Sequence, residues 1–489
     1  MLARFDRSAW LFIATLVALG GCARAGGGGS LSPDAAMGDA RDRDSGVPLV
    51  GNRDSDSDGL PDAEESMLGT DPYSTDSDGD GVSDLGEVRG SHTNPLDAAS
   101  TVPEEDFFLV LPHGGGAVHE TFHFGTRVDA ADVYFLVDTT ESMQSAIDSL
   151  RDSLEDIATE VSREVRSVQI GVGRFEDFPG DGLGEDFNVV YENMVDVSPD
   201  VAASIEAIGS LRARGGGDGP EADTQALFLL ASGSGGSWSM RDGSTWSIAP
   251  RVCPEVPDES APRIGHPCFR PGALPIVVHI TNSAFHNGPT MYYRYATVTP
   301  EPALFADAEN ALVSIGARYI GVRIDDHGDH QAQTELARAT GSVDVQGNVL
   351  YYDAVGGRVG PEIVEGIQTL LSRVPQDVEA VRRNVPGNPD DFDATQFIVG
   401  LAALDGWNDA TRGPAPGITY DRAEGATFHA LVPGTQVSFD VTFENTVRVG
   451  EDSAQIFRAQ IVVVGNRVAD LAIRNVYVIV PPDGYEILI

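Results

Sequence analysis

The sequence predicts a multidomain chain: a doubly wound α/β domain on a parallel sheet and an all-β sandwich, both preceded by a short acidic repeat. Three observations carry this. Over residues 131–375, apolar runs of strand length alternate with segments of helical spacing. Over 376–489, strand-like runs are joined by polar turns with no helical segment between them. Between Asp54 and Asp97 a twelve-residue acidic pattern occurs twice. A chain of 489 residues, 41% of them hydrophobic, has material for more than one core.

The charge balance narrows the partners. Against 75 Asp and Glu stand 32 basic residues, for a net charge of −43. Such a chain repels nucleic acid and anionic membrane surfaces and attracts divalent cations. Every basic residue is Arg. With no Lys, Schiff-base chemistry and Lys-dependent phosphate loops are excluded.

At the N-terminus, Arg4 and Arg7 precede an apolar stretch from Ser8 to Leu19, too short to span a bilayer comfortably. It ends in Leu19-Gly20-Gly21-Cys22. This resembles the lipobox of bacterial lipoproteins. The resemblance implies a signal peptide at 1–21, lipidation at Cys22, and a lipid-anchored protein of the bacterial cell envelope. The outer membrane is the expected place, with its face left open. An ordinary signal peptide with a coincidental Cys is the alternative. Residues 22–53 are rich in Gly, Ser, Ala and Asp and read as a disordered tether.

The acidic pattern reads Asp-x-Asp-x-Asp-Gly-x-x-Asp-x-x-Glu, starting at Asp54 and again at Asp76. Twelve-residue calcium loops take ligands from positions 1, 3, 5, 7, 9 and 12, with Gly at 6 for the sharp turn. These positions fall on Asp54, Asp56, Asp58, Leu60, Asp62 and Glu65, and then on Asp76, Asp78, Asp80, Val82, Asp84 and Glu87. Carboxylates packed this closely repel one another unless a cation sits among them. No long amphipathic helices flank the loops. The pieces "LGTDPYSTDSDGDG" and "GSHTNP" resemble the thrombospondin type 3 repeat, so 54–98 is expected to be a calcium-stiffened, extended stalk. A dockerin-like module, which needs a helix after each loop, is the alternative.

Residues 104–130 show strand-like runs, "DFFLVLP" and "VHETFHF", split by Gly114–Gly116. The α/β rhythm begins with "DVYFLVD". Met143, Ile147, Leu150, Leu154, Ile157 and Val161 form one helical stripe. "VQIGVGRF", "LPIVVHIT" and "ARYIGVRI" are further apolar runs alternating with helical segments. Strands apolar on both faces belong in a parallel sheet covered on both sides. Residues 233–272 interrupt this pattern with Gly, Ser, Pro, Trp238, Trp246, Cys253 and Cys268. Export favours a disulfide between the two cysteines, closing a small local loop; a free thiol pair is the alternative. The insertion is a contact surface or a covering flap.

In a doubly wound sheet, ligands bind beyond the carboxyl ends of the strands. There the chain places Asp138, Thr140 and Ser142, then Asp218 and Glu221 in "GGGDGPEAD", and Asn282 after "PIVVHIT". All offer oxygen, the donor that hard cations such as Mg²⁺ prefer. The set resembles the von Willebrand factor A domain with its metal-ion-dependent adhesion site. Asp138-x-Thr140-x-Ser142 follows the family's Asp-x-Ser-x-Ser, and Asp218-Gly219-Pro220-Glu221 resembles the integrin β-subunit version. The resemblance implies Mg²⁺ or Mn²⁺ at Asp138, Thr140, Ser142 and Glu221, with Asp218 facing a second, weaker position. Asn282 stands where the family usually has Asp, which lowers the charge at the site. The place of a further integrin cation is Ser145-Ala146, so no third position is expected.

The resemblance also implies binding and not turnover, with an acidic side chain of a protein partner completing the cation's shell. Gly-x-Ser-x-Gly, His-Glu-x-x-His and paired-Cys zinc motifs are missing from the sequence, and no enzymatic activity is expected. Asp325 to His330 read as a polar loop with a helix cap. As in integrin β-subunits, the 104–130 strands are expected to pair with the C-terminal sandwich, leaving the A-type domain inserted. An envelope scaffold with a vestigial metal site is the competing function.

Overall fold

The computed structural model describes residues 53–482 apart from 57, 102–105, 258, 260, 325–329, 355–358, 409–418 and 452–453. The expected signal peptide, Cys22, the expected tether before residue 53 and most of the 325–330 loop lie outside the described residues.

Each acidic loop leads into one short helical turn, α1 (Asp62–Leu68) and a π-helical turn (Gly86–Ser91). The sixth-position glycines bend the loops with φ of 105° at Gly59 and 100° at Gly81, a region closed to most L residues. The loops are not an isolated stalk. Leu60 and Leu85, their two buried apolar side chains, form a small core with Ile479 near the C-terminus. Gly59 backs onto Ala454, and Gly90 lies under the ring of Phe108. Two repeats this short cannot bury their own leucines, so they take cover from the nearest sheet.

The chain then forms β1 (Asp106–Val110) and β2 (Val118–Phe124) before entering the α/β part. There β3 (Ala130–Asp138), α2 (Gln144–Glu164), β4 (Ser167–Phe175), β5 (Glu192–Ser198), α3 (Val201–Ser210), the two-residue β6 (Pro220–Glu221) and α4 (Asp223–Ser232) follow. A hairpin of β7 (Gly236–Ser239) and β8 (Thr245–Ile248) comes next. After it come β9 (Leu274–Thr281), the short β10 (Ala284–Phe285), α5 (Phe305–Ser314), β11 (Arg318–Arg323), α6 (Gln331–Ala339), β12 (Tyr351–Asp353) and α7 (Val359–Arg373). The main sheet has the order β12-β11-β9-β3-β4-β5, parallel except for β5. Its central strand shows why both faces are covered. Val133, Phe135 and Val137 join a core with Ile147 and Leu150 of α2 and Ile363 and Ile367 of α7. The alternate residues Tyr134 and Leu136 join a separate core with Leu227 of α4, Leu312 of α5 and Leu336 of α6. The two-residue period of a strand divides one apolar run between two helical layers.

Leaving α7, the chain forms β13 (Gln376–Asn384), β14 (Ile398–Asn408), β15 (Arg422–Glu424), β16 (Thr427–Leu431), β17 (Thr435–Phe443), β18 (Gln455–Gly465) and β19 (Ala469–Val480). They make a six-stranded sheet, β1-β19-β18-β13-β16-β15, and a three-stranded sheet, β14-β17-β2. Here β1 runs parallel to β19 and β2 antiparallel to β17. Phenylalanines join the sheets: Phe428 of β16 meets Phe439 of β17 at 5.3 Å between ring centroids, and Phe107 of β1 meets Phe122 of β2 at 4.8 Å.

In the insertion, Cys253 and Cys268 are disulfide-bonded. Trp238 and Trp246 pack edge-on against Phe178, which follows β4. Trp238 is 7% exposed, so it serves the core and not the surface. Among the described residues, no helix is long and apolar enough to cross a membrane.

Candidate metal centre

Strand β3 ends in Asp138, wholly buried at the carboxyl edge of the sheet. Three donors hold it. Thr140 gives Oδ1 both its backbone N–H and its Oγ1, each at 2.8 Å, and Thr281, the last residue of β9, gives Oδ2 its Oγ1 at 2.9 Å. The carboxylate is thereby fixed between two neighbouring strands. Ser142 donates its Oγ to Asn282 Oδ1 at 3.2 Å, which ties the turn after β3 to the turn after β9.

Glu221 closes the third side. It is 4% exposed, and its Oε2 has no hydrogen-bond partner. Gly216, with φ of 86°, lies between Glu221 and Thr140: a Cβ there would stand 3.4 Å from Glu221 Oε1 and 3.5 Å from Thr140 Cβ. Asp218 is drawn elsewhere. Its carboxylate meets His286 Nε2 at 3.2 Å, and the same nitrogen faces the buried Asp177 at 3.3 Å. Tyr295 donates its hydroxyl to Asp177 as well. The structure therefore gathers Asp138, Thr140 and Glu221 on one side, Ser142 with Asn282 beside them, and Asp218 with Asp177 and His286 as an adjoining group.

Asp177, Asp223 and Thr281 did not enter the sequence reading. Asp177 lies two residues past the end of β4, so the strand-end rule reaches it as well. Asp223 opens α4, buried, with His279 Nε2 at 3.3 Å from one carboxylate oxygen and Ser283 Oγ at 3.3 Å from the other. Nothing local in "EADT" marks it as buried.

Burial and crowding set the electrostatics. Burial, then the charges of Asp138, Asp177, Asp223 and Asp218, push Glu221 up to about 11. Burial followed by the nearby Asp223 raises Asp138 to about 7. Burial raises Asp177 to about 6, against the pull of His286 and Tyr295. Burial alone would lower His286, but Asp177 and Asp218 outweigh it and hold it up at about 10. A buried carboxylate among carboxylates is either protonated or shared with a cation. The side chains of Thr140, Ser142 and Thr281 beside Asp138 offer only oxygen, and Glu221 offers a buried oxygen that no protein group uses. The set fits a hard divalent cation, which Asp138, Thr140, Ser142 and Glu221 would hold.

The acidic loops pass the same test. Asp54, Asp56 and Asp58 bring carboxylate oxygens within 4.8 Å of one another, as do Asp76, Asp78 and Asp80. At position 12, both oxygens of Glu65 and Oε2 of Glu87 are buried without a partner. Burial and the Asp56 charge raise Glu65 to about 8. Position 9 carries a bracing contact in both loops. Asp62 accepts from the N–H and Oγ of Ser55, and Asp84 from the N–H and Oγ of Ser77. A serine at position 2 thus orients the position-9 carboxylate in each loop. Leu60 and Val82 take position 7, where only the backbone carbonyl counts, and their N–H groups bond Asp58 and Asp80.

Comparison with known proteins follows the same division. A solved von Willebrand factor type A protein from Catenulispora acidiphila aligns over 76% of this chain and 71% of its own, at 13% identity and a TM-score of 0.30. The pilus adhesin SpaC from Lactobacillus rhamnosus GG, in its open conformation, aligns over 74% of this chain and 45% of its own, at 14% identity and a TM-score of 0.29. Likeness of this extent decides nothing about the site. No curated protein matches the chain. Residues 54–74 and 76–98, the two acidic segments with their paired carboxylate clusters, match the family described as the bacterial TSP3 repeat.

Proposed function

We propose that this chain is an adhesion-type protein of the bacterial cell envelope that binds an acidic side chain of a protein partner through a divalent cation. The observation that carries the reading is the buried, unpartnered Oε2 of Glu221 beside the fixed carboxylate of Asp138. The cation, when bound, supplies an open coordination position for a carboxylate. Asp138 and Glu221 provide negative charge, Thr140 and Ser142 provide hydroxyl oxygens, and Thr281 keeps Asp138 oriented. Binding without turnover is the proposed outcome. In the same reading Cys22 carries the lipid, the TSP3 repeats hold Ca²⁺ and join the tether to the head, and the two Phe-linked sheets form a β-sandwich carrying the α/β domain as an insertion.

The test is calorimetric titration of Mn²⁺ and Mg²⁺ into the full chain already saturated with Ca²⁺, beside Asp138→Ala. Saturable binding lost in the variant supports the reading; equal heats in both proteins sink it. A scaffold with a vestigial site is the second reading, favoured by the bond that Ser142 spends on Asn282. Under the adhesion reading Asn282→Asp tightens Mn²⁺ binding by about tenfold, as an added carboxylate does at hard-cation sites. Under the scaffold reading it changes nothing.

A further inference from the structure

In a chain of net charge −43, one cavity beside the metal centre is cationic. Arg174, Arg212 and Arg214 line it with Glu192, Met194 and Leu211, around a volume of about 290 Å³. Backbone bonds tie this cavity to the cation loop. Arg214 N–H donates to Thr139 O at 2.8 Å, and Glu141 N–H donates to Gly215 O at 3.3 Å. Two residues past Arg214 comes Gly216, where a Cβ would stand 3.4 Å from Glu221 Oε1 and 3.5 Å from Thr140 Cβ.

The arginines are unequally occupied. Arg174 bonds both Glu176 and Glu192 at 2.7 Å, and Arg214 reaches Glu176 at 3.4 Å. Glu176 is wholly buried and also accepts from Thr139 Oγ1 and Val189 N–H, so its charge is already answered. Arg212 is exposed, and its Nη1 donates only to the carbonyls of Gly209 and Leu211. Three guanidinium groups thus face two carboxylates. Arg214 also lies 5.2 Å over the ring of Phe187, which is 50% exposed. An open arginine beside an open aromatic ring is the composition of an interface anchor. The group of Asp177 and Asp218 beside the centre is anionic apart from His286.

We propose that the ligand carries two acidic side chains, one for the cation and a second that docks on Arg212 and Arg214. The partner surface is therefore a di-acidic protein segment, laid across the centre toward the arginine side. This rests on the reading that the cation takes a partner carboxylate. Planar guanidinium forks suit carboxylates well, and the site would reject a partner with one acid followed by a basic residue.

The test uses fluorescein-labelled Gly/Ser peptides with the full chain, Ca²⁺ and Mn²⁺. One peptide holds a single Asp; others hold two Asp separated by roughly two to six residues, since extended chain spans ~3.3 Å per residue. The best two-Asp peptide is expected to bind about tenfold tighter than the single-Asp peptide, the worth of a charge-assisted pair. In Arg212→Gln that advantage is expected to fall to within about twofold, as for an exposed ion pair lost, with the single-Asp affinity and Mn²⁺ binding unchanged. Arg212 contacts only neighbouring backbone through its guanidinium, so this variant keeps the fold. Equal affinity for all peptides in the wild-type chain overturns the proposal and leaves the cation reading standing. Failure of every peptide to bind, or binding that survives Asp138→Ala, overturns both.

Discussion

At the candidate metal centre, Asp138 shows how far a site's geometry depends on residues outside the proposed ligand set. Its Oδ2 depends on Thr281, which lies 143 residues further along the chain. Thr281→Val removes that donor while keeping the shape of the side chain. The carboxylate then loses half its orientation, and Mn²⁺ affinity is expected to fall about 10- to 100-fold, the usual cost of losing such a supporting bond. Calorimetry on the variant reads this directly, and an unchanged affinity would remove Thr281 from the site. The position of Asp138 was legible, because an apolar run ending in a carboxylate delivers it to a sheet edge. The support from Thr281 was not, because "HIT" carries no mark of which strand lies beside it.

At the scale of elements, the acidic loops separate backbone strain from packing. Gly59 and Gly81 occupy the same loop position with φ of 105° and 100°. Around Gly81 there is open space, whereas a Cβ on Gly59 would lie 2.2 Å from Ala454 Cβ and 2.9 Å from Leu85. Gly81→Ala is expected to cost about 1 kcal/mol, the strain of an L residue in this region. Gly59→Ala adds overpacking of about 1–3 kcal/mol and pries the first loop off the sheet. Thermal unfolding of the two variants in Ca²⁺ should separate them; equal melting temperatures would mean that the docking contributes nothing. Glycine at the sixth place was readable in both repeats. Which of the two glycines meets a wall was not, since Ala454 comes from the far end of the chain.

For the whole molecule, the TSP3 segment couples cation binding to the C-terminal sheets. Leu60 and Leu85 meet Ile479, the Leu85 N–H donates to Asp58 Oδ2 at 3.2 Å, and Phe108 stacks on Tyr477 at 4.5 Å. The loops hold six clustered aspartates and the buried Glu65 and Glu87, which repel one another without a cation. Withdrawing Ca²⁺ is expected to cost about 2.7 kcal/mol per site when the ion is present at a hundred times its dissociation constant. A chelator should therefore lower the melting temperature and speed proteolysis of the repeats before the sheets. A chain whose melting curve and cleavage pattern ignore chelation would contradict this coupling.

The sequence by itself determined whatever is local or periodic. The twelve-residue acidic pattern, the helical stripe of α2 and the apolar runs of β3 and β9 each repeat with the period of the element they form, so a short window contains the whole signal. The mixed α/β class follows from their alternation. Only the tertiary structure decided the rest: that Asp138, Asp177 and Asp223 stand around Glu221, that His286 lies between Asp177 and Asp218, that three arginines gather next to the turn after β3, and that the repeats lean on the C-terminal sheet. Each of these joins residues from separate strands and loops. Such contacts are set by strand order and by the need to cover exposed leucines, and neither is written in the spacing of any one segment.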